Sequence, residues 1–128
     1  MSLTAIFRES MGLVRVKALI WNIENPDRRC EVEFIVDTSA IYTVIPSSTL
    51  EKLGVKRMYR RRFSLADNRV VERDIGLIGI RIGDRETHTI AVFGEEGLFL
   101  LGVYTLEGLG LEVDPVTGKL KEMELLLL

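Results

Sequence analysis

The feature that most constrains the fold is alternation. From Leu13 to Ile23 apolar residues alternate with Arg15 and Lys17 before the pattern thickens at Trp21. From about Arg29 to Val36, Cys30, Val32, Phe34 and Val36 fall on one face and Arg29, Glu31 and Glu33 on the other. A repeat of two puts successive side chains on opposite sides of a pleated strand. Both segments therefore read as strands, and the turn-rich NIENPDR between them makes a hairpin. Strand patterns return from Tyr59 to Phe93, with Asp67-Asn68 and Gly83-Asp84 as tight turns, and LEVDPVTGKLKEM reads as a last hairpin about Pro115 to Gly118. Helical signals are confined to SSTLEKLG and to one turn within EEGLFLLGVYTLEGLG. In the first, Ser48 and Glu51 have capping-box spacing and Gly54 supplies a stop. The class is all-β with one or two short helices, in a closed or barrel-like sheet.

A length of 128 residues with 47 % hydrophobic content fits one compact domain over 1–128. The net charge of −2 gives no general pull towards nucleic acid. The basic run KRMYRRR, residues 56 to 62, reads as a solvated loop and edge strand, where cations discourage edge pairing. One cysteine makes no internal disulfide, and Cys30 shares its face with Val32 and Phe34 as a packing thiol. Trp21 reads as core. His88 has no ligand cluster around it, so no metal or cofactor is expected. The first ten residues carry Arg8 and Glu9 without a long apolar core, and Leu125 to Leu128 is too short to span a bilayer. A cytoplasmic protein with no membrane partner is expected. Glutamine is absent and charged residues are many, a mild sign of a thermophilic source.

Chemistry enters at EVEFIVDTSAIYTVIP. Asp37 ends an apolar strand and is followed by Thr38, Ser39, Ala40 and a second apolar run, Ile41 to Ile45. An ionised carboxylate is seldom left among apolar residues without a partner or a task. The plain reading is a carboxylate capping a turn. The wider context resembles the retropepsin-like, retroviral-type aspartic proteases in their prokaryotic single-lobe form. That family runs an apolar strand into Asp-Thr-Gly-Ala, then has a short strand and a helix, a hairpin flap, and two apolar residues with a Gly leading into a second short helix. Here FIVDTSAIYTVIPSSTLEKLG, RFSLADNRVVE and LFLLGVYTLEGLGLEVDP follow that order, with Gly102 lying 65 residues after Asp37. The resemblance covers about 14–120.

The resemblance implies a retropepsin-like acid protease barrel with one lobe per chain. The active site would lie at the twofold interface of a homodimer, where Asp37 meets Asp37 of a second copy. Asp37 would be general acid and base towards a polypeptide substrate. Thr38 would brace the two loops, and Ser39 and Ala40 would shape the loop beside the substrate. The flap, roughly Phe63 to Glu72, would bring Leu65, Ala66, Asp67, Asn68, Arg69 and Val70 over the substrate, and Leu100, Leu101 and Gly102 would support the loop. No metal or cofactor takes part. Three departures stand out. Ser39 replaces the usual Gly, so its side chain either crowds the cleft or supplies a hydrogen bond. Tyr104 stands where relatives often have a polar support, and the flap tip ADNR lacks glycine. The alternative is a weakly active or inactive dimer of the same fold that binds peptides or proteins.

Overall fold

The computed structural model describes residues 14–124 and Leu127; Arg8, Glu9 and the rest of the Leu125 to Leu128 run lie outside the described residues. In chain order the elements are β1 (Arg15–Asn22), β2 (Arg29–Val36), β3 (Thr43–Pro46), α1 (Ser47–Lys52), β4 (Tyr59–Ser64), β5 (Val70–Ile82), β6 (Arg85–Gly94), β7 (Leu100–Leu101), α2 (Val103–Leu109), β8 (Leu111–Val113) and β9 (Leu120–Glu122). The alternation in β1 and β2 becomes an antiparallel hairpin with Val16 opposite Phe34 and Ala18 opposite Val32. β8 and β9 form the final hairpin as a separate two-stranded sheet.

The main sheet runs β1-β2-β7-β3-β6-β5-β4, and β1 also pairs with β5. That last pairing closes six strands into a ring and leaves β4 outside, on β5 alone. The 13-residue β5 makes this possible: Val70 to Ile75 pair with β4, and Ile78 to Arg81 pair with β1. Closure leaves β4 as the outer strand of the main sheet, and there Arg60, Arg61 and Arg62 are exposed. Inside the ring Ile20, Phe34, Ile45, Ile78, Ile80 and Leu101 are fully buried, and Leu50 of α1 is fully buried too.

Two sequence expectations are corrected. Ser48 does not cap α1. Pro46 occupies the cap position without a side-chain hydrogen bond, and Ser48 lies inside the first turn with its hydroxyl donating to Glu96 Oε2 at 2.6 Å. Glu51 reaches Arg57 instead, at 3.3 Å. Gly54 does end the helix, in the left-handed conformation. Trp21 is not core: it is half-buried and lies across Gly79 of β5, where an added Cβ would come within 2.0 Å of the indole. The polar residue that is buried there is Asn22. Its side-chain amide donates to Leu53 O and Gly54 O, and its Oδ1 accepts from the N–H groups of Glu24 and Asn25. This one side chain ties the first hairpin turn to the end of α1. Cys30 is half-buried, and burial pushes its thiol up.

Candidate active site

Asp37 is the first residue past β2. Its N–H donates to Leu101 O at 3.0 Å and its carbonyl accepts from Ala40 N–H at 3.1 Å, which bends 37–40 into a turn. The Ser39 N–H and hydroxyl both reach Asp37 Oδ1, at 3.0 and 2.5 Å. A backbone and a side-chain donor on one oxygen orient the carboxylate. Asp37 and Ala40 are half-buried, and Thr38 and Ser39 are exposed at the rim.

The loop is clamped from below by the second motif, Leu100-Leu101-Gly102. β7 lies between β2 and β3, parallel to the first and antiparallel to the second. Leu101 is fully buried and Gly102 is buried. The N–H groups of Val103 and Tyr104 open α2, where a helix has no carbonyl of its own to offer. They donate instead to Ala40 O at 2.9 Å and Ile41 O at 3.0 Å. This approach is so close that a Cβ on Gly102 would lie 2.5 Å from Ile41 O and 2.6 Å from the Tyr42 carbonyl carbon. Gly102 is therefore required for lack of space, its backbone being ordinary extended chain.

The polar support under the loop comes from Thr105 and not from position 104. Tyr104 is 49 % exposed. The Thr105 hydroxyl lies 2.6 Å from Thr43 Oγ1 and 2.7 Å from Thr89 Oγ1, and Thr43 Oγ1 accepts the Gly102 N–H at 3.1 Å. All three threonines are buried. This chain of hydroxyls joins β3, β6 and α2 at Gly102, whose neighbours Leu101 and Val103 hold the 37–40 turn. The signal for it was a threonine in each of three apolar segments, and for Thr43 and Thr89 strand propensity alone already explains it.

Above the loop stands the β4–β5 hairpin. Its tip is a turn from Leu65 to Asn68, with Asn68 N–H donating to Leu65 O and Leu65 N–H to Arg69 O. Asn68 takes the left-handed conformation at φ 67°, so the tip needs no glycine. Asp67 accepts the Arg69 N–H at 3.1 Å and Arg69 Nε at 2.6 Å, and these contacts hold its carboxyl below the usual range. At the root of the hairpin the Arg60 and Arg57 side chains do the same to Asp74, at 3.0 and 2.6 Å. The basic run is thus partly paired, and Arg61 lies over the Tyr59 ring.

Between hairpin and loop is a cleft of about 640 Å³. Of the residues singled out in the sequence, Ser39, Ala40, Leu65, Arg69 and Leu100 line it. Asp37, Thr38, Ala66, Asp67, Asn68, Val70, Leu101 and Gly102 do not. Reasoning from sequence missed Tyr42, whose ring meets Phe63 and Tyr104 edge-on at 6.3 and 6.0 Å, and it missed Arg73, Glu95 and Leu98 on the walls. Register would have found some of them. With the turn fixed at Asp67-Asn68, Phe63 falls opposite Val71 on the cleft face. Among the described residues no group of three or more His, Cys, Asp or Glu side chains is placed to hold a metal, and no helix is long and apolar enough to cross a membrane.

Comparison with known proteins bears on this arrangement. The model of the family described as "gag-polyprotein putative aspartyl protease" matches residues 27–108, from the first hairpin turn into α2. Among solved structures, the EIAV protease complexed with the inhibitor HBY-793 superposes with a TM-score of 0.57 at 19 % identity, covering 77 % of this chain and 88 % of that one. At that identity the likeness speaks to the fold. No curated protein matches the chain.

Proposed function

The chain belongs to this gag-type aspartyl protease family and has a single retropepsin-like lobe, and on that premise we propose that it is an aspartic endopeptidase acting as a homodimer. The observation that carries the reading is the placement of Asp37: it ends a barrel strand, is held on the second motif, and its loop borders a cleft under a hairpin. One lobe offers one such carboxylate, so the second comes from Asp37 of another copy across a twofold axis. Two carboxylates about 3 Å apart share one proton, as aspartic proteases do. The ionised member takes a proton from a water between them while the water oxygen attacks the scissile carbonyl carbon. The protonated member donates to the carbonyl oxygen. Collapse of the tetrahedral species breaks the C–N bond as the amide nitrogen takes a proton from the pair. Thr38 braces the two loops and Ser39 and Ala40 border the substrate. The hairpin residues Leu65 to Val70 close over an extended polypeptide, which can pair with them like an added strand. A single domain and a cytoplasmic location belong to the same reading.

One observation favours a second reading, a dimer that binds polypeptides without cutting them: the Ser39 hydroxyl already occupies Asp37 Oδ1. A peptidase assay on denatured protein at acid pH decides. Cleavage is expected for the wild type, with or without chelator, and is lost in Asp37→Asn while the dimer mass in sedimentation is retained. Cleavage surviving in Asp37→Asn, or a monomer mass under active conditions, would remove the dyad mechanism.

A further inference from the structure

The cleft is more cationic than a chain of net charge −2 suggests. Among the described residues Arg62, Arg69 and Arg73 line it against one acid, Glu95. We infer that the cleft selects polypeptides carrying an Asp or Glu side chain among apolar ones, and that Arg73 is the residue that reads this carboxylate. The inference takes from the proposed function only that the occupant is an extended polypeptide.

The three arginines are not equivalent. Arg69 is held by Asp67 within the hairpin tip, and its side chain is 71 % exposed. Arg62 lies opposite Glu72, on the face of the hairpin where Arg60 bridges Glu72 and Asp74. Arg73 lies opposite Arg61, on the other face, which carries Phe63 and Val71 into the cleft. Its side chain is only 34 % exposed. One terminal nitrogen donates to Glu72 O at 2.9 Å, and the other is 3.7 Å from Glu95 Oε1, beyond hydrogen-bond reach. A guanidinium offers five N–H donors in a planar fork suited to a carboxylate. Beside apolar walls such a pair is stronger than in open water. The Glu95 side chain, 78 % exposed, is placed to hold the cation loosely and give way to a substrate carboxylate.

The test measures binding without turnover. Asp37→Asn protein is titrated with fluorescent extended peptides of mainly apolar sequence, in which one Glu or its Gln counterpart is moved along the chain. At one position the Glu peptide is expected to bind about tenfold tighter than the Gln peptide, equivalent to ~1.4 kcal/mol, and the gap narrows in high salt. Adding Arg73→Gln should close the gap while the Gln peptide still binds, which also shows that the variant folds. Glu95→Gln should widen the gap by removing the competitor. Equal affinity for Glu and Gln peptides at every position, or a gap that survives Arg73→Gln, overturns the inference. No binding of either peptide overturns both it and the polypeptide reading. A gap that stands while the wild type fails to cut removes the endopeptidase reading alone.

Discussion

The Ser39 hydroxyl is a donor to the carboxylate beside it, at 2.5 Å, and this favours the hydrogen-bonding role over the crowding one at that place. A side chain that merely crowded the cleft would leave Asp37 untouched. Ser39→Ala removes the hydroxyl and keeps the backbone donor, so kcat/KM is expected to fall roughly tenfold, the worth of one hydrogen bond to a charged group. Ser39→Gly should fall at least as far and also melt lower, because glycine adds unfolded-state entropy of up to about 1 kcal/mol. Steady-state kinetics and melting curves on the pair check this. Faster turnover in either variant restores the crowding account. Thr105 acts on the same loop from below. Thr105→Val keeps the shape and strips the partner from two buried hydroxyls, costing roughly 2–4 kcal/mol, with Thr105→Ser recovering most of the loss in thermal denaturation.

Elements are held here by close approach as much as by apolar burial. β7 and the start of α2 press against 40–42 with no room for a methyl group at Gly102. Gly102→Ala must push backbone against backbone, and overpacking of this kind costs about 1–3 kcal/mol or more. The expected result is a melting temperature lower by roughly 5–10 °C together with loss of activity, since the same backbone holds Asp37 N–H. An unchanged melting temperature would mean that the two segments separate easily. The elements themselves were legible because alternation and turn residues are local: both early strands, the Asn68 turn and the Gly54 stop stand where the pattern puts them. What was not legible depends on distant partners. Ser48 had the spacing of a cap, but Glu96, remote in sequence, claims its hydroxyl. Trp21 had the size of a core residue, but the side chain facing it is a glycine's missing one. The resemblance marked Tyr104 as a departure from a polar support, and the helix turns Thr105 inward beside it. At the site, local motifs gave the turn after Asp37 and the turn at Asp67-Asn68, whereas the walls at Tyr42, Arg73 and Leu98 needed the hairpin register and the sheet order.

For the molecule as a whole, acid is both the medium of the proposed chemistry and a strain on the fold. Asp74 is depressed by Arg60 and Arg57, Asp67 by Arg69, and Asp114 chiefly by the Val116 N–H. A carboxyl lower in the folded state contributes stability that is present above the unfolded value of about 3.9 and is lost as pH falls through the folded one. Melting temperature should therefore hold steady down to about pH 4 and decline below it. These groups lie at the surface, so each effect is small. Asp74→Asn should flatten the decline, since it removes one titrating group, and a melting series in acid buffers measures it. An unaltered slope would place the acid sensitivity elsewhere.

β5 belongs to two structures at once, and its backbone amides should report this as a gradient in deuterium uptake. From Val70 to Asp74 it is paired with β4 alone, at Ile75 with β4 and β6, at Gly76 and Leu77 with β6, and from Ile78 to Arg81 with β6 and β1 on its two sides. Opening the hairpin frees the first group without disturbing the last, so protection should rise along a single strand from opening-limited exchange at its start to global-unfolding exchange at its end. Exchange followed by mass spectrometry or NMR would show the step near Ile75, and an occupied cleft should slow the first group while leaving the last unchanged. Uniform protection along the strand would mean that the hairpin and the barrel open together, and the flap would then have no independent motion with which to admit a substrate.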